Sequence, residues 1–258
     1  MFLYHGTTES SLADIQKDGI HPREERESQW SKFPSRSDMV YLTTAYPFYF
    51  AHGTRKVEDA RLCAIEIDSN RLSPWRFHPD EDFITLVLMK RKKMSLDRAH
   101  GVVQKRFAKF QGHWKDSIKG LGNVAYRGVI SPKAITRICL FDAQTRPNLW
   151  LAFADPTITL ANYGICGARY RGMVEWMFGH RDKLPQADQP FDLPTMDCLD
   201  ACAGPGTVTY RIELLKRAQN IVEHWTKESA DRTGIEVLER KGDTWQPIEG
   251  ESDATHER

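Results

Sequence analysis

Two short stretches carry residues that could do chemistry. In Leu3-Tyr4-His5-Gly6-Thr7-Thr8, strand-forming residues bring an imidazole to the mouth of a sheet. The next residue is a glycine, which lets backbone approach a flat ligand closely, and hydroxyls follow. In Val40-Tyr41-Leu42-Thr43-Thr44, a second apolar strand ends on an aromatic and two hydroxyls. The aromatic run Tyr46-Pro47-Phe48-Tyr49-Phe50-Ala51 comes directly after it. Each stretch taken singly also reads as an ordinary strand end. Their order and separation give the pair its meaning.

Elements must hold these residues in place. Phe2 to His5 is predicted as a strand running into a Gly-Thr-Thr turn. A helix follows, with Ser10 or Ser11 as N-cap, Leu12, Ile15 and Ile20 on one face, and Gly19 as its stop. Residues 21–38, broken by Pro22 and Pro34, read as a loop. Val40–Thr43 is a strand, Tyr46–His52 a short helix and Leu62–Asp68 a third strand. Pro74–Pro79 reads as a turn. Asp80-Glu81-Asp82 opens an apolar run to Met89 that ends in lysines, which suits a helix dipole. Ser95–Lys119 is predicted as one basic helix anchored by Leu96, Val103, Phe107 and Phe110. Two strands separated by the Pro132 turn follow, Asn123–Gly128 and Ala134–Phe141. Beyond residue 145, the second half of Asn162–Phe178 and the amphipathic Val208–Trp225 read as helical. Leu184–Pro205 is irregular, Ile235–Leu238 a short strand and Gly250–Arg258 a disordered end.

This pair of motifs, with its connecting helix, resembles the ADP-ribosyltransferase family, whose members split NAD with a His-Tyr-Glu triad. The resemblance spans roughly residues 2–142, and the Pro-Asp-Glu-Asp-Phe run and the late strand–proline turn–strand also look like that fold. It implies an α+β class: a split β-sheet core with flanking helices over 1–142, and a mostly helical extension over 143–258, packed on that core or apart from it.

The resemblance also implies roles. His5 would fix the ribose by donating a hydrogen bond, the Gly6 backbone would bond the nicotinamide amide, and Tyr41 would stack on the nicotinamide ring. Tyr49 or Phe50 would cover the other ring face, with Thr7, Thr43 and Thr44 in support and Arg23, Arg26 and Arg36 as pyrophosphate partners. NAD is the expected co-substrate. The third family residue, a glutamate, falls on Asn123 in this sequence. Asn can bond a ribose hydroxyl but brings no charge. Either the enzyme works with Asn, or the sequence carries a weakening change, or the protein binds without turnover. Asp116 and Glu175 are other acids within the chain.

The acceptor is read from charge. Between Lys90 and Arg137 stand thirteen Lys and Arg residues, against Asp97 and Asp116. Such a run is either a solvated face or a surface for phosphates. Trp114, Lys115 and Lys119 lie just upstream of Asn123, where an indole could stack on an unpaired base and ammonium groups could track a backbone. Single-stranded RNA is the favoured acceptor, DNA the next; a protein acceptor or an inactive binding module are the alternatives. RNA 2′-phosphotransferase chemistry is less suited, since its arginine-lined phosphate site is not evident. By resemblance, the biological role is a toxin of a toxin–antitoxin or anti-phage system, with an antitoxin protein as partner.

Composition sets outer bounds. With 258 residues, 40% hydrophobic and 28% charged, the chain reads as soluble and globular. No apolar run is long enough to span a membrane, no secretion signal is expected, and five cysteines, an odd number, suit a reducing cytoplasm. Cys198 and Cys202 have no second metal-ligand pair near them, so no metal site is expected.

Overall fold

The computed structural model describes residues 1–23, 35–54, 61–142, 171–172, 174–180 and 235–248. Its centre is an antiparallel α+β sheet of eight strands. They are β1 (Phe2–Thr8), β2 (Met39–Thr43), β3 (Arg61–Asp68), β4 (Phe77–Pro79), β5 (Asn123–Arg127), β6 (Ile135–Asp142), β7 (Ile235–Lys241) and β8 (Thr244–Pro247). Their order across the sheet is β4-β5-β2-β1-β3-β6-β7-β8. The helices are α1 (Leu12–Asp18), α2 (Pro47–Thr54), α3 (Glu81–Lys92), α4 (Leu96–Arg106) and α5 (Trp114–Leu121). Among the described residues no helix is long and apolar enough to cross a membrane.

Side chains alternate between the two faces of a strand, so the sheet divides its core. Leu3, Val40, Leu42, Cys63, Ile65 and Val124 pack on one face with Leu12 and Ile15 of α1 and Ile118 of α5. On the other face lie two separate clusters. One gathers Tyr4, Ala64, Cys139 and Phe141 under Phe48 and Ala51 of α2 and the helical stretch around residues 174–178. The second gathers Met39 and Ala125 under Ile84 of α3 and Val103 of α4, with Tyr41 at its margin. The boundary between these two clusters falls where β1 meets β2.

Several local expectations give way to long-range pairing. Gly6-Thr7-Thr8 is strand, not turn, because Thr7 and Thr8 pair with Cys63 and Leu62 of the fully covered β3. Ser11 is the N-cap of α1 but makes no capping bond; Thr8 Oγ1 engages Ser10 Oγ at 2.8 Å instead. Ile20 leaves the helix after Gly19 and bridges to Ile130. Pro79 ends a strand rather than a turn: β4 is an edge strand, where a missing N–H is tolerated. The predicted 95–119 helix breaks at Phe107–His113 into 3-10 geometry. Phe107 is drawn into the core there, stacked on His78 at 5.3 Å.

The described part of the C-terminal region supplies strands as well as helix. β7 pairs along β6, and Gly242-Asp243 makes a tight hairpin to β8, with Gly242 at φ 66°. Residues 174–180 are tied down by hydrogen bonds: fully buried Glu66 meets His180 Nε2 at 2.5 Å and receives the Thr136 hydroxyl at 2.7 Å. Arg137 adds a bond to the Phe178 carbonyl at 2.8 Å. The expectations for Leu184–Pro205, Val208–Trp225 and Gly250–Arg258, and the cysteines Cys198 and Cys202, lie outside the described residues.

Candidate active site

The sheet is nearly split. β1 shares seven residue pairs with β3, and β2 shares five with β5, but β1 and β2 share one, Tyr4 with Thr43. Where the two strands part, the His5 imidazole takes the place of a ladder bond: its Nδ1 lies 2.9 Å from the Tyr41 carbonyl oxygen. A carbonyl only accepts, so Nδ1 carries the proton and Nε2 of the neutral ring is an acceptor. Burial lowers the His5 pKa, against the pull of the Tyr41 carbonyl, and so favours that neutral ring. An acceptor Nε2 would receive a ribose hydroxyl rather than donate to it, which reverses the direction expected from the sequence.

The Tyr41 phenol runs elsewhere. It donates to Glu81 Oε1 at 2.6 Å and accepts the Arg36 backbone N–H at 2.8 Å; the same N–H reaches Glu81 Oε1 at 3.2 Å. Glu81 opens α3 directly after the N-cap Asp80, whose side chain accepts the Asp82 N–H. It is 6% exposed. Burial pushes its pKa up to about 6, although the phenol bond pulls the other way. The Tyr41 phenol is in turn raised well above its usual range by burial and then by the Glu81 charge.

This shift has a sign that can be checked. Glu81 rises from an ordinary 4.5 to about 6, so the folded chain holds that proton more tightly than the unfolded chain. Its stabilising contribution is complete below the lower value and is lost as pH climbs through the upper one. Glutamine cannot ionise and keeps it. Glu81→Gln should therefore be more stable than the natural protein at pH 8, by about 2 kcal/mol, with the gap closing near pH 4 in paired denaturant titrations.

Asn123 is the first residue of β5, opposite Thr43, and is 7% exposed. Its carbonyl accepts the Ser117 hydroxyl at 2.8 Å, and that hydroxyl accepts the Asp80 N–H at 2.9 Å. Ser117 thus pins the start of β5 to the start of α3. Asn123 Oδ1 and Glu81 Oε2 are both buried with no hydrogen-bond partner. Orphaned buried acceptors are rare and costly, and these two stand on the starts of β5 and α3, which Ser117 ties together.

Other candidates have occupations of their own. Gly6 lies against α2 so closely that a Cβ would overlap Pro47 O and Ala51 N. The Thr43 hydroxyl donates to Gly122 O at 3.2 Å and accepts the N–H groups of Ala45 and Tyr46, while Thr44 also bonds Gly122 O. Tyr49 and Phe50 meet edge to face at 5.4 Å on the α2 cluster. Thr7 is buried opposite Cys63. Arg23 bonds Ser35 O, the Arg36 guanidinium pairs with Asp38 and sits over Phe107, and Arg26 lies outside the described residues.

Trp114 stacks on Phe77 at 4.9 Å, on the face away from Tyr41, with the Lys115 ammonium over its ring at 5.4 Å. Lys119 is exposed. Asp116 pairs with His113 at the surface, and Glu175 lies in the helical stretch packed with Tyr4. Glu81 is the site residue that the sequence reading passed over. The signal was present: at helical spacing Glu81 shares a stripe with Ile84, Thr85 and Leu88, and the stripe is the buried one.

The fold is α+β, an antiparallel sheet with helices on both faces. No family model and no curated protein matches the chain. Among solved structures it is similar to EcPltA at 12% identity and TM-score 0.33, over 54% of this chain and 75% of that one. It is also similar to nicked CARDS toxin, at 14% identity and TM-score 0.31, over 55% of this chain. The full-length CARDS toxin gives 15%, 0.31 and 57%. The chain spans 25% of the length of the CARDS toxin chains. Overlaps this loose carry no argument about chemistry.

Proposed function

We propose that the chain is an NAD-dependent mono-ADP-ribosyltransferase with the split-sheet form of that family, acting on a nucleic acid. The observation that carries this reading is the His5 imidazole in the gap between β1 and β2, donating through Nδ1 to the Tyr41 carbonyl and leaving Nε2 as an acceptor. Glu81 Oε2 and Asn123 Oδ1 add two buried acceptors that have no donor among the described residues. NAD suits such a set, because it presents ribose hydroxyls and a carboxamide N–H₂. In the reaction the ribose–nicotinamide C–N bond breaks and its electron pair goes to the ring nitrogen. The acceptor's nucleophilic atom bonds the ribose carbon and its proton passes to solvent.

Charge supports the nucleic-acid acceptor. Lys90 to Lys93, Arg98, Lys105, Arg106, Lys109, Lys115 and Lys119 are all exposed along α3, α4, α5 and the segments that join them. Such a run releases counterions on meeting a phosphate backbone. Single-stranded RNA is favoured over DNA, and a toxin held in check by an antitoxin protein is the biological role that fits. A second reading, a module that binds NAD without turnover, draws on Asn123 in place of an acid.

One experiment separates them. The protein is incubated with NAD and either single-stranded RNA, single-stranded DNA or a protein mixture, and free nicotinamide and the mass of each acceptor are measured. The expected result is nicotinamide release together with ADP-ribose on RNA, suppressed by salt. Adducts on protein alone would overturn the acceptor assignment, and NAD binding without nicotinamide release would establish the binding module instead.

A further inference from the structure

We infer that Glu81, at the head of α3, is the carboxylate that stabilises the developing positive charge on the ribose, the task Asn123 has no charge to perform. The inference rests on the transferase reading above and adds a residue to it. Three acids stand together at this point of the chain. Asp80 spends its side chain capping α3, and Asp82 is exposed. Of the three, Glu81 is the one whose carboxylate is buried with an oxygen that has no partner among the described residues. Its Oε1 is held from two sides, by the Tyr41 phenol at 2.6 Å and the Arg36 N–H at 3.2 Å, while its Oε2 has no partner. A buried carboxylate with one oxygen clamped and the other unpaired is held in place beforehand and has little freedom left to lose.

Among the described residues Glu81 forms no ion pair. The Arg36 guanidinium, the cation closest in the chain to its clamp, is turned to Asp38 at 3.1 Å. The charge of Glu81 is therefore available when the ribose–nicotinamide bond lengthens. The electron pair leaves with the nicotinamide nitrogen, and the ribose carbon turns positive. Glu81 opposes that charge until the acceptor's nucleophile closes the new bond and sheds its proton to solvent. Ser117 links the beginnings of α3 and β5, so Glu81 and Asn123 stand on elements with one shared anchor. An acid at the head of α3 is thus positioned to serve where the head of β5 carries an amide.

The test uses the full chain with NAD alone, then with the acceptor identified above. Glu81→Gln keeps an acceptor for the phenol and removes the charge. Its maximal rate of nicotinamide release should fall about a hundredfold. Its NAD dissociation constant should change by much less than its rate, because the lost charge acts mainly as the ribose carbon turns positive. Glu81→Asp restores the charge on a shorter arm and should recover part of the rate. A Gln variant within about threefold of the natural rate, or an Asp variant slower than the Gln variant, overturns the assignment of Glu81 while leaving the transferase reading intact. If the Gln variant does not fold, the Asp variant decides: it must keep more than about a tenth of the natural rate. Absence of nicotinamide release from the natural protein itself defeats the transferase reading, and the role of Glu81 with it.

Discussion

Gly6→Ala should destabilise the chain by about 3 kcal/mol or more, read as a lower midpoint in urea and a lower melting temperature. The cause is the seat of α2. A Cβ at position 6 would overlap Pro47 O and Ala51 N and crowd the Phe50 carbonyl carbon. All three are backbone atoms of one helix, so no side chain can rotate away. The helix must tilt or lift, and with it go Phe48 and Ala51, both buried in the cluster that includes Tyr4 and Phe141. Alanine has the better strand propensity, which offsets only a few tenths of a kcal/mol. The glycine is thus explained by helix packing before any ligand is considered. A loss below about 0.5 kcal/mol would mean that α2 is not held in this position.

How much of this was legible in the sequence follows from where each signal is stored. Strands β2, β3, β5 and β6 were readable because their apolar runs are local and bounded by polar turns. The His5 strand was readable, but its extension through Thr8 was not, since Gly-Thr-Thr favours a turn and only pairing with β3 overrides it. β4 was hidden by Pro74 just before it and Pro79 as its own last residue, and exists because β5 offers it an edge. β8 escaped although Gly242-Asp243 between two polar strands is a hairpin signal; its strand is too short and too exposed to show alternation. At the site, the sequence pointed to His5, Tyr41 and Asn123 as residues but not to their bonds. A carbonyl accepting an imidazole N–H is backbone geometry and leaves no mark in residue types. Glu81 left a mark in the phase of the α3 stripe. Three consecutive acids at a helix start are so well explained by the dipole that the burial of the middle one is easily overlooked.

Substitutions at His5 should separate the two nitrogens of one ring. His5→Ala removes both: the half-buried Tyr41 carbonyl loses its donor, costing about 1 kcal/mol, and the acceptor at Nε2 disappears. Nicotinamide release should then fall a hundredfold or more, by the order of magnitude that removing one preorganised group brings. His5→Asn places an amide N–H₂ near the position of Nδ1. It can still donate to Tyr41 O, so most of the lost stability should return while the rate stays low. His5→Gln places its amide farther out, near Nε2. Its oxygen can accept a ribose hydroxyl while the Tyr41 carbonyl goes unpaired, so it should be less stable than the Asn variant and faster. The reversal of order between the two amides, in stability and in rate, is the informative result, because a general loss of packing would move both quantities the same way. Full activity in His5→Asn would remove Nε2 from the mechanism and leave His5 as a clasp between β1 and β2. Equal loss of both properties in all three variants would mean that the ring is needed for its shape, and the acceptor geometry in the split sheet would no longer argue for NAD.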